Sequence, residues 1–172
     1  MSATQELSIE LAQVSFSELY QAWVQPVYRY TLSRVGRTAD AEDLTSQTFL
    51  SAYEKMHTLR SESHFAAWLF TIARNKIRDH YRKMNRKPQT DLENPEMLSA
   101  DPDSTPLEEL VWVRRLVERL PAHEQELIRL RYAAQLDFVT IAEILGKNAA
   151  ATRKFHYRLI QKLQKQLEVA HD

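Results

Sequence analysis

The residues of this chain that are best suited to chemistry are cations close to aromatic rings. Residues 74–87 include seven basic side chains and a single acidic one. The rings of Trp68 and Tyr81 lie in or beside the same stretch, and His64 precedes it. Single-stranded nucleic acid is bound by such a combination, because bases stack on rings while phosphates follow positive charge. The stretch therefore favours nucleic-acid binding, although Trp68 and Tyr81 would also fit a protein core.

A helical period runs through this stretch. Arg74, Arg78 and Arg82 recur at steps of four, which places them on one face of a helix. Phe70, Ala73, Ile77 and Tyr81 form an apolar stripe on another face, as expected of a helix that packs against a core, and the core is the preferred assignment for Tyr81. The spacing thus predicts an amphipathic helix that presents its cations to solvent.

A second stretch surrounds Gly146, one of only two glycines in the chain. Ahead of it, Phe138, Ile141, Ala142 and Leu145 form one apolar stripe on a short helix. Gly146 follows at the position where a left-handed helix cap removes the penalty of a Cβ atom. This pattern predicts a helix that ends in a tight turn.

The helix predicted after the turn is strongly cationic. Residues 147–165 include six basic side chains and no acidic one, and Asn148 is suited to cap the first turn. The side chains on its polar side are Arg153, Lys154, Tyr157, Arg158, Gln161 and Lys165. The pattern predicts a helix-turn-helix whose second helix enters the major groove of DNA, where unopposed cations neutralise phosphates. An ordinary helical hairpin with a solvated basic face is the alternative.

A third constellation is a polar helical face made by Asp40, Asp43 and Gln47. Acidic residues in a first turn stabilise a helix through its macrodipole, so this face indicates either simple helix stabilisation or a partner surface. The residues expected to pack inward from the same helix are Leu44, Phe49 and Tyr53.

Residue types that enzymes require are scarce. The chain has no cysteine, only two glycines and six histidines. Two glycines allow no phosphate-cradling loop, and the histidines show neither an HExxH motif nor another paired spacing for metal ligands. We therefore expect no enzymatic activity, no catalytic residue, no metal site and no cofactor.

Helices must position all three constellations, because strands would need alternating β-branched residues and Gly/Asn-rich turns. The sequence predicts an all-α protein with helices at 16–35, 39–58, 62–84, 106–119, 122–134, 138–145 and 149–168. Pro26 is expected to kink the first helix, and Thr105 to cap the fourth.

Charge divides the chain into blocks. Residues 88–110 contain seven acidic and no basic side chains, whereas residues 1–87 have 12 basic against 9 acidic, and residues 111–172 have 11 against 7. Proline and short polar residues dominate positions 88–105, a composition that buries little apolar surface. The sequence therefore predicts two small helical domains, at 1–87 and 106–172, joined by a flexible acidic linker.

Targeting signals are not evident. The first 16 residues lack a basic region followed by an apolar run. No uncharged apolar stretch approaches the roughly 18 residues that span a bilayer. We therefore expect a soluble, cytoplasmic protein without membrane insertion.

Three segments, in this order, resemble bacterial RNA polymerase sigma factors of the extracytoplasmic-function group. DAEDLTSQTFLSAY resembles their core-binding helix in region 2, and FAAWLFTIARNKIRDHYRK resembles the promoter-melting helix that follows. LPAHEQELIRLRYAAQLDFVTIAEILGKNAAATRKFHYRLIQKL resembles region 4. The resemblance extends from about Phe16 to Leu167, and the lack of a long middle domain matches the minimal two-domain group.

The resemblance implies a protein that binds core RNA polymerase and directs initiation at minus-ten and minus-thirty-five promoter elements. Residues implied to bind the clamp helices of the largest polymerase subunit are Asp40, Asp43 and Gln47. Residues implied to face melted DNA at the minus-ten element are His64, Trp68, Arg74, Asn75, Arg78 and Arg82. Residues implied to face the minus-thirty-five element are Asn148, Arg153, Lys154, Tyr157 and Arg158.

Further partners follow from the same resemblance. Region 4 is implied to contact the flap of the second largest subunit, and many members of the family are bound by an anti-sigma factor. The chain departs from the family's usual residues at Lys147, Ala150, Phe155 and His156, so the promoter bases are not carried over.

A one-component regulator that binds operators without polymerase is the alternative. It explains the predicted helix-turn-helix equally well, but it gives no role to the other two constellations.

Overall fold

The computed structural model describes the backbone at residues 3–59, 61–85 and 107–171, and side chains at 16–59, 61–85 and 113–168. Every regular element in these ranges is helical, which confirms the all-α prediction. The chain divides into two compact units, Met1–Asn94 and Pro95–Asp172. The predicted linker at 88–105, including the cap at Thr105, lies outside the described residues.

Three helices form the N-terminal unit, and each packs on the other two. They are α1 (Ala3–Val35), α2 (Thr38–Lys55) and α3 (Phe65–Met84). Short 3₁₀ turns at Met56–Thr58 and Glu62–His64 follow α2 and precede α3. The predicted helices at 39–58 and 62–84 thus each include one turn that is wound more tightly than an α-helix.

The core of this unit is aromatic. Tyr30 of α1 and Phe70 of α3 are fully buried, and their rings meet edge to face with centroids 5.4 Å apart. Ile77 and Leu44 are also buried, as their helical periods predict. Burying such side chains removes apolar surface from water and leaves the opposite face of α3 exposed for its cations.

Glycine ends α1. Gly36 has a φ angle of 74°, and its N–H donates to the carbonyl of Leu32 over 2.8 Å. The left-handed region is open to glycine because no Cβ clashes there. Arg37 then takes an extended conformation as the N-cap of α2. Pro26 lies within α1, and its predicted kink stays a prediction.

The C-terminal unit is built from shorter helices. They are α4 (Leu107–Glu118), α5 (Ala122–Ile128), α6 (Phe138–Leu145) and α7 (Ala149–His171), with a π-helical turn at Arg129–Ala133 after α5. Its buried residues come from every one of these elements, and α6 packs chiefly on α7. The predicted bounds of α6 are confirmed, and α7 begins at the predicted residue.

The turn between α6 and α7 has the predicted conformation. Gly146 has a φ angle of 63°, and the following N–H, of Lys147, donates to the carbonyl of Ala142 over 2.8 Å. Asn148 accepts a hydrogen bond at Oδ1 from the N–H of Ala150 over 2.8 Å. The left-handed cap and the side-chain cap are therefore both confirmed.

One helix is longer than expected. α1 begins at Ala3 rather than at residue 16, because residues 3–15 contain neither glycine nor proline and consist largely of good helix formers. Within the described part of the chain, no helix is both long and apolar enough to cross a bilayer.

Candidate nucleic-acid interface

A groove of about 350 Å³ opens on the N-terminal unit. Its lining residues are Arg34, Thr71, Arg74, Asn75, Arg78 and Tyr81. All but Arg34 belong to α3, where steps of three and four residues bring them to one face. The hydroxyl of Tyr81 donates to the backbone carbonyl of Arg34, which ties the end of α1 to α3. The groove is thus walled by two helices.

Three arginines, Arg34, Arg74 and Arg78, are among the residues that line this groove, and no acidic residue is. Nη2 of Arg78 donates to Oδ1 of Asn75 over 3.1 Å, which orients both side chains. Guanidinium groups present several N–H donors in a plane and pair readily with phosphate oxygens. The groove therefore suits an anionic strand that also offers polar groups to Asn75.

Arg82 differs from its two predicted companions. It is absent from the groove lining, and its Nη2 lies 3.2 Å from Oδ1 of Asp79. That ion pair is largely exposed and offsets part of the Arg82 charge. Because Arg74 and Arg78 line the groove and Arg82 does not, we expect them to matter more than Arg82 for an anionic ligand.

The aromatic residues at this face are neither fully buried nor fully exposed. Trp68 is half-buried, and its ring lies 5.9 Å from that of Phe65. Tyr81 is 38% exposed, so its assignment to the core is wrong, and the tyrosine lies at the edge of the groove. His64 is exposed immediately before α3. The structure thus leaves all three rings at least partly accessible, and Tyr81 lies in the groove lining.

The polar face of α2 divides into two parts. Nε2 of Gln47 donates to Oδ2 of Asp43 over 2.7 Å, and both side chains reach solvent. Asp40 instead lies 3.8 Å from Nε of Arg37 and 3.9 Å from Nε2 of His80. Its carboxylate therefore pairs with Arg37 at the start of α2 and with His80 of α3, and any contact with a partner would come in addition to these two.

An apolar residue on this face was missed by the sequence analysis. Leu50 is 60% exposed and lies at helical spacing after Asp43 and Gln47. Tyr53, expected to pack inward, is half exposed, although its ring contacts that of Phe16 at 5.1 Å. Leu50 and Tyr53 thus both expose apolar surface on α2, and the position of Leu50 in the Asp43 series was the available signal.

α7 separates its two sides as predicted. Thr152 and Leu159 are buried, whereas the predicted DNA-facing residues of α7 are exposed, namely Arg153, Lys154, Tyr157 and Arg158. The guanidinium carbon of Arg153 lies 5.8 Å from the ring centroid of Phe138, which restrains that side chain. Asn148 uses its side-chain oxygen as the helix cap, so it positions the exposed residues of the first turns.

A histidine supports this face from inside. Nε2 of His156 lies 2.9 Å from the hydroxyl of Tyr132, and its ring meets that of Phe138 at 5.1 Å. Arg131 lies 4.9 Å over the same Phe138 ring. Burial, followed by the charge of Arg131, lowers the pKa of His156 below its usual 6.5. The neutral imidazole is therefore favoured in the folded unit.

This shift predicts acid sensitivity of the C-terminal unit. Because the pKa of His156 is lowered in the folded unit, the unfolded chain binds the proton at a higher pH than the folded chain does. The stability that neutral His156 contributes is therefore present above about pH 6.5 and is lost as the pH falls through the folded pKa. We expect the unfolding temperature to drop between pH 7 and pH 5, and to drop less in His156→Gln. Thermal unfolding followed by circular dichroism measures both, and identical pH profiles would contradict the assignment.

A second groove, of about 470 Å³, has a different character. Leu116 and Leu120 supply apolar lining, while Arg119, Lys162 and Lys165 add cations. Lys162 is itself paired with a carboxylate oxygen of Glu124 at 3.0 Å. Apolar lining suits a protein segment better than a nucleic acid. Within the described ranges, no group of three or more potential ligands could hold a metal ion.

Comparison with known proteins agrees with this arrangement. The Sigma-70 region 2 family model matches residues 19–87. The ECF RNA polymerase sigma factor BldN of Streptomyces coelicolor is 37% identical over 89% of this chain, which spans 60% of BldN. The ECF RNA polymerase sigma factor EcfG of Rhodopseudomonas palustris is 30% identical over 73% of this chain and 70% of its own length.

A solved structure shares the fold. The sigma factor RpoE of Bartonella quintana, solved in complex with the anti-sigma factor NepR, superposes with a TM-score of 0.70 at 24% identity, over 90% of this chain and 98% of RpoE.

The match over residues 19–87 assigns the N-terminal unit to the class of Sigma-70 region 2 proteins. The chain belongs to the extracytoplasmic-function RNA polymerase sigma factors. Members of this family are transcription initiation factors and not enzymes.

Proposed function

We propose that this protein binds core RNA polymerase and directs initiation at promoters with minus-ten and minus-thirty-five elements. The single observation that carries the proposal is the groove that Arg34, Arg74, Asn75 and Arg78 line together. Its cations suit strand phosphates, and the neighbouring Trp68 offers a ring for an unstacked base. The N-terminal unit then recognises and opens the minus-ten element.

The C-terminal unit recognises the minus-thirty-five element in this proposal. The exposed side chains of the first turns of α7, Arg153 and Lys154, contact base edges, whereas Lys165 lies farther along and reaches phosphates at most. Support comes from the capped start of α7 at Asn148 and from the ring of Phe138, which holds Arg153 in place.

Polymerase contacts are assigned to both units. Asp43, Gln47 and Leu50 form the surface for the clamp helices of the largest subunit, with Asp40 contributing at its edge. The C-terminal unit contacts the flap of the second largest subunit. The acidic segment at 88–105 connects the two units. The protein acts in the cytoplasm, where the polymerase is.

An anti-sigma factor is proposed as a regulatory partner. RpoE, which shares the fold, was solved with the anti-sigma factor NepR. The exposed apolar Leu50 and the groove at Leu116 and Leu120 are surfaces that such a partner would cover.

The experiment that tests the function measures promoter binding with and without core polymerase. We expect tight specific binding only with core, and a loss of holoenzyme of at least tenfold in Leu50→Glu, because a carboxylate would replace an apolar contact. Val139→Glu is the matched control, since Val139 is 63% exposed and lies on the other unit. Equal promoter affinity without core would favour the one-component regulator.

A further inference from the structure

We propose that Tyr132, in the π-helical turn, is a positioning residue for Arg153 and thereby sets how strictly the minus-thirty-five element is read. The inference rests on the proposed function, in which Arg153 contacts base edges. Tyr132 precedes both helices of the predicted helix-turn-helix. It acts on Arg153 through two intervening rings, those of His156 and Phe138.

A series of contacts leads from Tyr132 to Arg153. The Tyr132 hydroxyl lies 2.9 Å from Nε2 of His156, and the centroids of the two rings are 5.8 Å apart. The His156 ring meets the Phe138 ring edge to face, with centroids 5.1 Å apart. The guanidinium carbon of Arg153 lies 5.8 Å from the centroid of the same Phe138 ring. Each side chain in the series is thus restrained by the one before it.

The spacing of the residues keeps this series short. Arg153 and His156 are three residues apart on α7, so they are neighbours on one side of that helix. Arg131, in the same π-helical turn, lies 4.9 Å over the Phe138 ring and donates from Nη1 to the carbonyl of Leu136 over 2.8 Å. The turn therefore restrains the Phe138 ring by a second contact, which does not pass through His156.

The exposure of Tyr132 shows that its hydroxyl does not serve the core. Tyr132 is 53% exposed, and Arg153 is exposed as well. Water can replace a hydroxyl at an exposed hydrogen bond, so its loss leaves no buried polar group unsatisfied. The alternative is that the hydrogen bond only ties the π-helical turn to α7. That alternative predicts a change in stability and no change in sequence preference.

Preorganisation is the physical reason why these contacts sharpen sequence reading. The arginine side chain is long, and ordering it at an interface costs conformational entropy. Reading a base edge with paired N–H donors requires the guanidinium group in one orientation. An aromatic ring that already restrains Arg153 lowers the cost of binding the matching base. A mismatched base needs another orientation and gains nothing, so discrimination increases.

The test measures the sequence preferences of wild-type, Tyr132→Phe and Arg153→Ala holoenzymes on a promoter library randomised across the minus-thirty-five element. Tyr132→Phe removes the hydroxyl and keeps the ring. At the position that depends on Arg153, we expect the preference for the best base to fall by about twofold to tenfold, as for the loss of one hydrogen bond. Phe138→Leu should reduce the preference at the same position. In the Arg153→Ala background, Tyr132→Phe should change nothing further.

Two control variants separate positioning from stability. Glu124→Gln weakens the 3.0 Å ion pair with Lys162 in the same unit, and it should keep the wild-type base preferences even where its unfolding temperature falls. Tyr20→Phe removes a tyrosine hydroxyl from the N-terminal unit, where Tyr20 is 44% exposed, and it should change neither quantity.

The outcomes distinguish failure of this inference from failure of the proposed function. A wild-type preference profile in Tyr132→Phe overturns the inference, and so does a lower unfolding temperature with a loss spread equally over all positions. An effect of Tyr132→Phe that persists in the Arg153→Ala background also overturns it. If Arg153→Ala alters the profile and Tyr132→Phe does not, the proposed function stands and only this inference fails. If Arg153→Ala itself keeps the wild-type profile, both fail.

Discussion

Replacing Arg74 and Arg78 together by alanine is expected to reduce open-complex formation on duplex promoters by about 100-fold or more. Each is positioned for a charge-assisted hydrogen bond, and such bonds typically contribute about 1.5–3 kcal/mol, or roughly tenfold to a hundredfold each. Both side chains line the same groove, so their loss leaves Arg34 as its only guanidinium. Permanganate footprinting of the minus-ten element measures the opened fraction directly.

Arg82→Ala is the matched control for this prediction. It removes the same charge from the same helix, but Arg82 does not line the groove, and it forms an exposed ion pair with Asp79. We expect it to reduce opening by less than about fivefold, as for an exposed ion pair. A template with a pre-melted bubble should restore most transcription by the double variant. If it restores none, the groove has no role in melting.

Gly146→Val is expected to destabilise the C-terminal unit by about 1–2 kcal/mol, because a residue with a Cβ is strained in the left-handed region. At Gly146 a Cβ would meet no other atom within 4 Å, so the cost lies in the backbone conformation at a φ angle of 63°. The corresponding loss of unfolding temperature is roughly 5–15 °C for a unit of this size. Thermal unfolding measures it, and transcription from promoters that depend on the minus-thirty-five element should fall in parallel.

Gly146→Asn tests whether the damage in Gly146→Val comes from backbone strain in the left-handed region or from replacing glycine by any residue with a side chain. Asparagine tolerates the left-handed region better than other residues with a side chain, so this variant should lose less than half as much stability. Core binding through α2 should be unchanged in both variants, since α2 belongs to the other unit. A valine variant as stable as the wild type would show that the turn changes its conformation without cost.

The sequence by itself predicted the helices that carry the candidate sites, although α1 begins well before the predicted residue 16. Apolar periods placed α6 correctly, and the cations of α7 were predicted to be exposed because residues opposite Thr152 and Leu159 have no apolar partner to pack against. Gly146 was predictable because its conformation depends on the missing Cβ of that residue alone. The family was recognisable because three patterns follow one another in a fixed order along the chain.

Only the tertiary structure decided which of the cations act together. Arg34 is 37 residues before Thr71, and no local period relates them, yet packing of α1 on α3 brings both to one groove. The same packing places Tyr81 at the edge of the groove and His80 beside Asp40. The left-handed Gln135, with a φ angle of 57°, was not predicted either; it lies between the π-helical turn and α6. Helices depend on neighbours in sequence, whereas a groove between helices depends on which surfaces the buried side chains bring together.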